Sequence, residues 1–448
     1  MRTIAEGNAR VIKLLGKQHH RDVQYRMMKY VLKADCTDGI LLHNVITGQL
    51  ILLDADEAAL LEALPVSQNQ VAEPLIEAYF LVPADYEEQE TVDKLRILMK
   101  RIFDVKGINH YMILPTTNCN ARCPYCFENG VRRISMDMST ADRIVEYICA
   151  NRSKESINLH WFGGEPLLGV SKVDHICEGL KNHGISFRSV MTSNGYLFSE
   201  ELINRVAVDW NLRLIQITLD GTEEIYNKVK GYVYTDKGEE SPYWRVLRNI
   251  HLLLERGIQV IIRLNVDKQN AGDLRNLIDE LFLGFYDTGK KPDIYAARIF
   301  DECEILSESA AAVEEIDGDL SRSLNELNDY LKQIGMYGPT KNLLSLKINS
   351  CMADSDETVV IFPDGCLSKC EMIKDEYIYG HISSDELFVR NREQFREVLQ
   401  LKNCGDCPLY PACILLKNCP TKKDTQNKDC RCSVRFYEQE LVDYYRKH

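Results

Sequence analysis

The chain has 448 residues, 45% of them hydrophobic and 27% charged, with 25 Gly and 13 Pro; this composition excludes a disordered or fibrous polymer and predicts two or three domains. No apolar run approaches the roughly 18 residues a membrane span needs, and a net charge of −13 disfavours nucleic acid, whose phosphates are bound by concentrated Lys and Arg. Lys13 and Lys17 interrupt the only apolar patch of the N-terminus, so no cleaved signal peptide is expected and the chain reads as a soluble, cytoplasmic protein.

Residues 1–105 read as a small separate domain. The first 33 residues carry eight Lys and Arg against Glu6 and Asp22. Three short apolar runs follow between Tyr30 and Asp54, separated by Asp38-Gly39 and Thr47-Gly48, which predicts a three-stranded meander. Asp54 is placed to cap a helix reaching about Leu64, and helical patterns recur near 69–79 and 88–103.

From residue 106 to 340 the pattern alternates. Apolar runs at 110–115, 156–162, 185–192, 212–219, 258–266 and 293–300 predict strands. Amphipathic stretches near 138–150, 171–183, 199–207, 244–256, 270–283 and 317–334 predict the helices between and after them. Six such strand–helix pairs imply a parallel sheet, open or curled into a partial barrel, whose chemistry belongs at the carboxyl ends of the strands. After residue 341, Val359–Cys370 reads as a hairpin around Pro363-Asp364-Gly365, and a helix from about Val434 to Arg446 closes the chain. The segment 403–432 is too rich in Cys, Pro, Lys and Asn to hold an apolar core without cross-links or metal.

Sixteen cysteines in a chain neither short nor marked for export point to thiolate-bound metal rather than a disulfide scaffold. Cys36, Cys149, Cys177 and Cys303 are scattered; Cys149 and Cys177 fall in helical patterns and read as small buried hydrophobes. Three others form Cys119-x3-Cys123-x2-Cys126 directly after the first strand of the alternating series. Three thiolates from one loop can hold three irons of a [4Fe–4S] cube and leave the fourth open to a chelating amino acid. Zinc explains this trio badly, because a structural site wants four ligands and the loop offers no fourth Cys or His. Nine more cysteines lie between Cys351 and Cys432, where Cys404-x2-Cys407 is also a zinc-ribbon half-site.

The trio resembles the signature of radical S-adenosylmethionine (SAM) enzymes. That resemblance implies Cys119, Cys123 and Cys126 as cluster ligands, Tyr125 and Phe127 beside the adenine, and reductive cleavage of SAM to a 5′-deoxyadenosyl radical. The second strand ends Phe162-Gly163-Gly164-Glu165-Pro166, similar to the family motif that holds the SAM amino group, a role that falls to Gly163, Gly164 and Glu165. Ser193 and Thr218, at the next two strand ends, match ribose and carboxylate positions, with Asn194 and Asp220 beside them as turn-formers. Related maturases often carry an Arg twelve residues after Thr218; here it is Lys230, a point charge that cannot make a bidentate pair. Either Lys230 suffices or Arg263 on the fifth strand contributes.

The C-terminal cysteines resemble the SPASM extension of radical SAM maturases, with two auxiliary [4Fe–4S] clusters. By motif position Cys351, Cys370 and Cys419 belong to the first, with Cys366 or an open iron as its fourth partner. Cys404, Cys407 and Cys413 belong to the second, completed by Cys430 or Cys432. The front domain resembles the winged-helix peptide-recognition element of enzymes that modify ribosomal peptides. The expected fold is therefore α/β: a partial (β/α)6 radical SAM barrel between an N-terminal winged-helix-like recognition domain and a C-terminal cysteine-rich SPASM domain, 341–448.

The expected activity is a cross-link in a ribosomal precursor peptide bearing a leader, carbon–carbon (such as Lys–Trp) or thioether. An electron donor such as a flavodoxin or ferredoxin is implied, with no nucleic-acid or membrane partner. Two alternatives remain from the residues: an anaerobic sulfatase maturase making formylglycine, and a zinc-stabilised binding scaffold. Asp301, Glu302 and Glu304, after the sixth strand, read as a solvated loop or as proton acceptors.

Overall fold

The computed structural model describes residues 1–16, 23–102, 107–233, 240–286, 289–299, 310–338, 343–348, 351–384, 387, 389–394, 407–412 and 434–447. The chain divides into two compact units: residues 1–105 with 341–354 and 395–448, and residues 106–340 with 355–394.

The first unit begins with β1 (Arg2–Ala5), α1 (Ala9–Leu15), β2 (Gln24–Met27), β3 (Val31–Cys36), β4 (Gly39–Asn44) and β5 (Leu50–Leu53). It continues with α2 (Ala55–Glu62), β6 (Val66–Ser67), α3 (Glu73–Glu77), β7 (Leu81–Pro83) and α4 (Glu88–Ile102). The expected meander is β3–β4–β5, turning between Cys36 and Gly39, which face each other in register. A fourth strand, β1, was not expected. It pairs with β5, giving the order β1-β5-β4-β3, so the continuous apolar run Leu50–Leu53 is an interior strand and not an edge. A second sheet, β6-β2-β7, was also unforeseen, because its strands have two to four residues and no readable alternation.

Asp54 caps α2 in a reciprocal box with Glu57, a device that stabilises a helix start by about 1 kcal/mol. The closing helix Val434–Lys447 and Leu409 and Ala412 share an apolar cluster with Leu32, Leu41 and Leu50. Arg96 on α4 donates to the carbonyls of Tyr410 (2.7 Å), Pro411 (3.2 Å) and Lys347 (3.3 Å).

The second unit carries the alternating series: β8 (His110–Ile113), α5 (Met138–Asn151), β9 (Ser156–Trp161), α6 (Val170–Asn182), β10 (Ser186–Ser193), α7 (Glu200–Asp209) and β11 (Leu212–Leu219). Then come α8 (Glu223–Lys230), α9 (Pro242–Glu255), β12 (Gln259–Val266), α10 (Ala271–Phe285), β13 (Asp293–Arg298) and α11 (Ala310–Gln333). Strands β8–β13 pair in parallel and in sequence order. The sheet does not end at β8. β14 (Thr358–Ile361) pairs parallel to it, and β15 (Cys366–Ser368) and β16 (Ile378–His381) add antiparallel, with α12 (Val389–Glu393) beyond them. The hairpin around Pro363-Asp364-Gly365 is present, but it extends the main sheet.

The sheet has two chemically different faces because successive side chains alternate. Ile157, Leu159, Trp161, Ile215, Ile217, Ile262 and Leu264 join the helices in one core with Val246, Ile250 and Leu277. The opposite face carries polar side chains toward the strand ends: His160, Thr192, Gln216, Thr218, Arg263, Asn265 and Tyr295. Across this face His160 Nε2 meets Thr192 Oγ1 at 3.0 Å, and Tyr295 donates to Gln216 Oε1 at 2.9 Å. No helix among the described residues is long and apolar enough to cross a membrane.

Candidate active site

The cysteine loop leaves the end of β8 and is closed at its neck. Met136 N donates to Pro115 O (3.0 Å), Thr117 N to Ile134 O (2.9 Å), and Thr117 Oγ1 to Arg132 O (2.7 Å). Within the loop Cys126 N donates to Cys123 O at 3.2 Å, and Ala121 N to Cys119 Sγ at 3.4 Å. The three thiols are half-buried. Burial pushes Cys119 up to about 12, and the neighbouring Cys123 and Cys126 and the Glu165 carboxyl push the same way; burial also raises Cys126.

A bound cation favours the thiolate form of such side chains. Three soft donors with no imidazole in the loop suit iron–sulfur chemistry better than a closed zinc site. Among the described residues no group of three or more His, Cys, Asp or Glu side chains stands at metal-binding spacing, so the loop presents the trio without gathering it. The two aromatic residues diverge. Phe127 is 42% exposed and stacks on Phe162, rings 6.3 Å apart, leaving a face open, whereas Tyr125 turns inward.

The glycines of the second strand end are there for close approach. Gly163 has φ +119°, and a Cβ on it would overlap Thr116 O; one on Gly164 would overlap Asn118 O. Gly164 N donates to Thr116 O at 3.2 Å and Glu165 N to Asn118 O at 2.8 Å, so this backbone is laid on the residues that lead into Cys119.

Glu165 is fully buried. Its Oε1 accepts from Leu167 N (3.0 Å) and Ser193 Oγ (2.8 Å), and its Oε2 from Asn194 N (2.8 Å). Burial pushes its carboxyl up to about 7 against these bonds, which favour the anion. The structure thus joins Glu165 and Ser193 to each other and ties the second strand end to the third. Asn194 also reaches the cysteine loop, donating to Asn120 Oδ1 at 2.8 Å.

Lys230 ends α8, and its side chain is 2% exposed. Its Nζ is 2.7 Å from Asp220 Oδ2 and donates to Thr218 Oγ1 (2.6 Å) and Tyr125 OH (3.3 Å). Of the ammonium's three donors two make hydrogen bonds, and Asp220 is held as an ion pair. Burial pushes the Lys230 pKa down, but Asp220, Tyr125, Cys123 and Tyr226 together more than offset this, so that it lies well above the ordinary lysine value. Asp220, expected as a turn-former, is instead the buried counter-ion; its Oδ1 also accepts from Tyr125 OH (2.7 Å) and Asn265 Nδ2 (3.0 Å).

Arg263 lies in register between Thr218 and Tyr295, and its Nε is buried without a hydrogen-bond partner. Sequence reading missed Asn265; the period-two spacing of Arg263 and Asn265 against Ile262 and Leu264 was the available signal.

Of the C-terminal cysteines, Cys351 is exposed and Cys366, Cys370 and Cys407 are half-buried. Burial and Asp364 push Cys366 up to about 12. Cys351 and Cys407 belong to the first unit, Cys366 and Cys370 to the second. Cys404, Cys413, Cys419, Cys430 and Cys432 lie outside the described residues, as do Asp301, Glu302, Cys303 and Glu304.

A model of the Radical SAM superfamily matches residues 113–281. A cysteine-type anaerobic sulfatase-maturating enzyme of Clostridium novyi is 25% identical over 383 residues, covering 75% of this chain and 96% of that protein. An uncharacterised protein of Methanocaldococcus jannaschii is 25% identical over 121 residues, 27% of this chain and 41% of that one. The solved structure of native anSMEcpe with bound AdoMet and Kp18Cys peptide superposes with a TM-score of 0.55 at 17% identity, covering 75% of this chain and 96% of that one, which shows a shared fold. The zinc-stabilised scaffold is thereby set aside as an account of the chain. Residues 113–281 form a radical SAM domain, and the protein is an enzyme of the radical SAM superfamily, which works with a [4Fe–4S] cluster and S-adenosylmethionine.

Proposed function

We infer that the protein is a cytoplasmic maturase that forms an intramolecular cross-link in a ribosomally made peptide. Cys119, Cys123 and Cys126 would hold the cluster, which when bound supplies one-electron cleavage of SAM and a radical able to abstract hydrogen. The observation that carries the reading is the loop itself: three half-buried thiols on one closed turn, backed by a glycine strand end too close to admit a side chain.

The chain's own residues divide the remaining work. Phe127 offers an open aromatic face for adenine, and the Gly163–Gly164 backbone approaches the loop for the amino group. Glu165 and Ser193 hold the strand ends in place rather than offering free acceptors. Because the Lys230 charge is already paired with Asp220, whereas Arg263 Nε is buried without a hydrogen-bond partner, Arg263 is the better candidate for the SAM carboxylate. The remaining cysteines from Cys351 to Cys432 would hold auxiliary clusters that pass on the surplus electron to a flavodoxin- or ferredoxin-like carrier. The strand edge of the first unit would take a leader peptide by β-augmentation.

A second reading has a specific observation behind it. The Clostridium novyi relative matches over 383 residues, which favours oxidation of a Cys or Ser to formylglycine. Mass spectrometry of a peptide encoded beside this gene, incubated anaerobically with SAM and reductant, separates the two. Loss of two hydrogens without reaction toward an aldehyde reagent supports the cross-link; an aldehyde supports formylglycine. Deletion of residues 1–105 with processing of the full precursor undiminished would refute leader recognition by that domain.

A further inference from the structure

The polar face of the main sheet carries two hydrogen-bonded pairs that the cofactor contacts leave unused. Thr192 and Gln216 stand in register on the neighbouring strands β10 and β11, about 5 Å apart. His160, level with Val190, reaches forward to Thr192 (3.0 Å), and Tyr295, level with Arg263, reaches back to Gln216 (2.9 Å). All four side chains are half-buried, whereas Trp161, Met191, Ile215, Ile217 and Ile294 beside them in sequence are buried. The four are therefore reachable from the open side of the sheet. Among the described residues neither pair makes a further side-chain hydrogen bond.

Each pair offers the same thing whichever way its hydrogens are set. Burial pushes His160 down to about 4, so near neutral pH its imidazole is uncharged, with one nitrogen donating and the other accepting. If Nε2 donates to Thr192, the Thr192 hydroxyl is left as a donor and Nδ1 as an acceptor; if Nε2 accepts, the two roles exchange. Tyr295 donates to Gln216 Oε1, which leaves the Gln216 amide to donate and the phenol oxygen to accept. Turning that amide only swaps the roles. The row thus presents both donors and acceptors and carries no charge. Asp293, on the same face, is already held by Gln259 Nε2 (2.6 Å), and Arg263 is the candidate for the SAM carboxylate. An ion entering the row would give up water without meeting an opposite charge, and a carboxylate would leave the acceptors unmatched. A primary carboxamide has two N–H donors and an oxygen with two lone pairs, so it can satisfy both pairs at once.

We propose that His160, Thr192, Gln216 and Tyr295 seat the side-chain carboxamide of an asparagine or glutamine in the substrate peptide, and so select which stretch of it is held for reaction. The inference rests on the reading of the substrate as a peptide and adds the class of residue that is recognised. Gln216 lies one step before Thr218 on the same face of β11, so a side chain seated there keeps its own backbone toward the strand ends, where the cysteine loop begins. The four act as positioning residues, and no bond is made or broken in the seat.

Blocked alanine pentapeptides with Asn, Asp, Leu or Lys at the centre probe the seat. Their binding is measured by ligand-observed NMR on the anaerobically reconstituted full chain with SAM and no reductant. The Asn peptide should bind at least about tenfold more tightly than the other three. Gln216→Leu and Thr192→Val should each bring it down to the level of the Leu peptide, with iron content and SAM affinity unchanged. Tyr295→Phe, which keeps the ring, should cost several-fold and stands in where Gln216→Leu fails to load iron. Equal binding of the Asn and Leu peptides, a preference for Asp or Lys, or no binding of any probe overturns the seat. So does an Asn preference that survives the substitutions, or a fall in SAM affinity that assigns the pairs to the cofactor. A cross-linked product from an enzyme without the Asn preference leaves the maturase reading standing. An enzyme with the preference that processes no peptide encoded beside its gene keeps the seat and loses that reading.

Discussion

Lys230 Nζ stands 2.7 Å from Asp220 Oδ2, with both side chains almost wholly shielded from water. Removing one member of such a pair leaves an uncompensated charge, which costs about 3–5 kcal/mol. Lys230→Met should therefore lower unfolding stability by that amount, and Lys230→Met with Asp220→Asn should recover most of it. Urea denaturation of the three proteins measures both; a single substitution that costs nothing would show that the pair is not charged.

Substituting the strand-end glycines should damage cofactor loading from a distance. A Cβ at Gly163 or Gly164 meets Thr116 O or Asn118 O, and these backbones cannot part without moving the residue before Cys119. Gly164→Ala should lose roughly 2–3 kcal/mol of stability and bind several-fold less iron after anaerobic reconstitution. Iron counting per chain decides it; full loading would place the loop's rigidity elsewhere.

Arg263 and Lys230 make opposite forecasts for SAM affinity. Arg263→Met, removing a charged donor beside Thr218, should raise the SAM Kd about thirtyfold, corresponding to roughly 2 kcal/mol, with iron content unchanged. Anaerobic calorimetry of the reconstituted protein reads this directly. Unchanged affinity would return the carboxylate to Lys230.

Acid should unfold the protein through two shielded histidines. Burial pushes both His43 and His160 down to about 4, whereas in an unfolded chain they titrate near 6.5. Between those values the unfolded state binds more protons than the folded one, so stability is full above pH ~6.5 and is lost as pH falls toward ~4, by at most roughly 3 kcal/mol per residue. His160→Gln, which keeps a partner for Thr192, should flatten part of this slope in urea midpoints taken at pH 7 and pH 5.

The alternating series was legible because each strand repeats apolar residues at every second position on its core-facing side, as Ile215, Ile217 and Leu219 do, and each helix keeps its own stripe. The loop trio and the glycine strand end were legible for a different reason: their spacing is local. What escaped was non-local. Thr358–Ile361 pairs with His110–Ile113, and nothing in either short run names its partner. Asp220 looked like a turn-former because Asp-Gly usually is one; its bond to Lys230 depends on α8 folding back over the strand end. The bonds that Asp220 and Asn265 make to the Tyr125 hydroxyl escaped for the same reason.

The pairing of β14 beside β8 bears on how this gene can be cut. A stop codon after residue 340 would delete the strand that flanks the one feeding the cysteine turn, and expose a row of unpaired amides and carbonyls there. A minimal catalytic fragment would therefore have to carry 355–394 as a second piece, or be circularly permuted to reach it. Any homologue lacking that later stretch must shield the same edge by some other means.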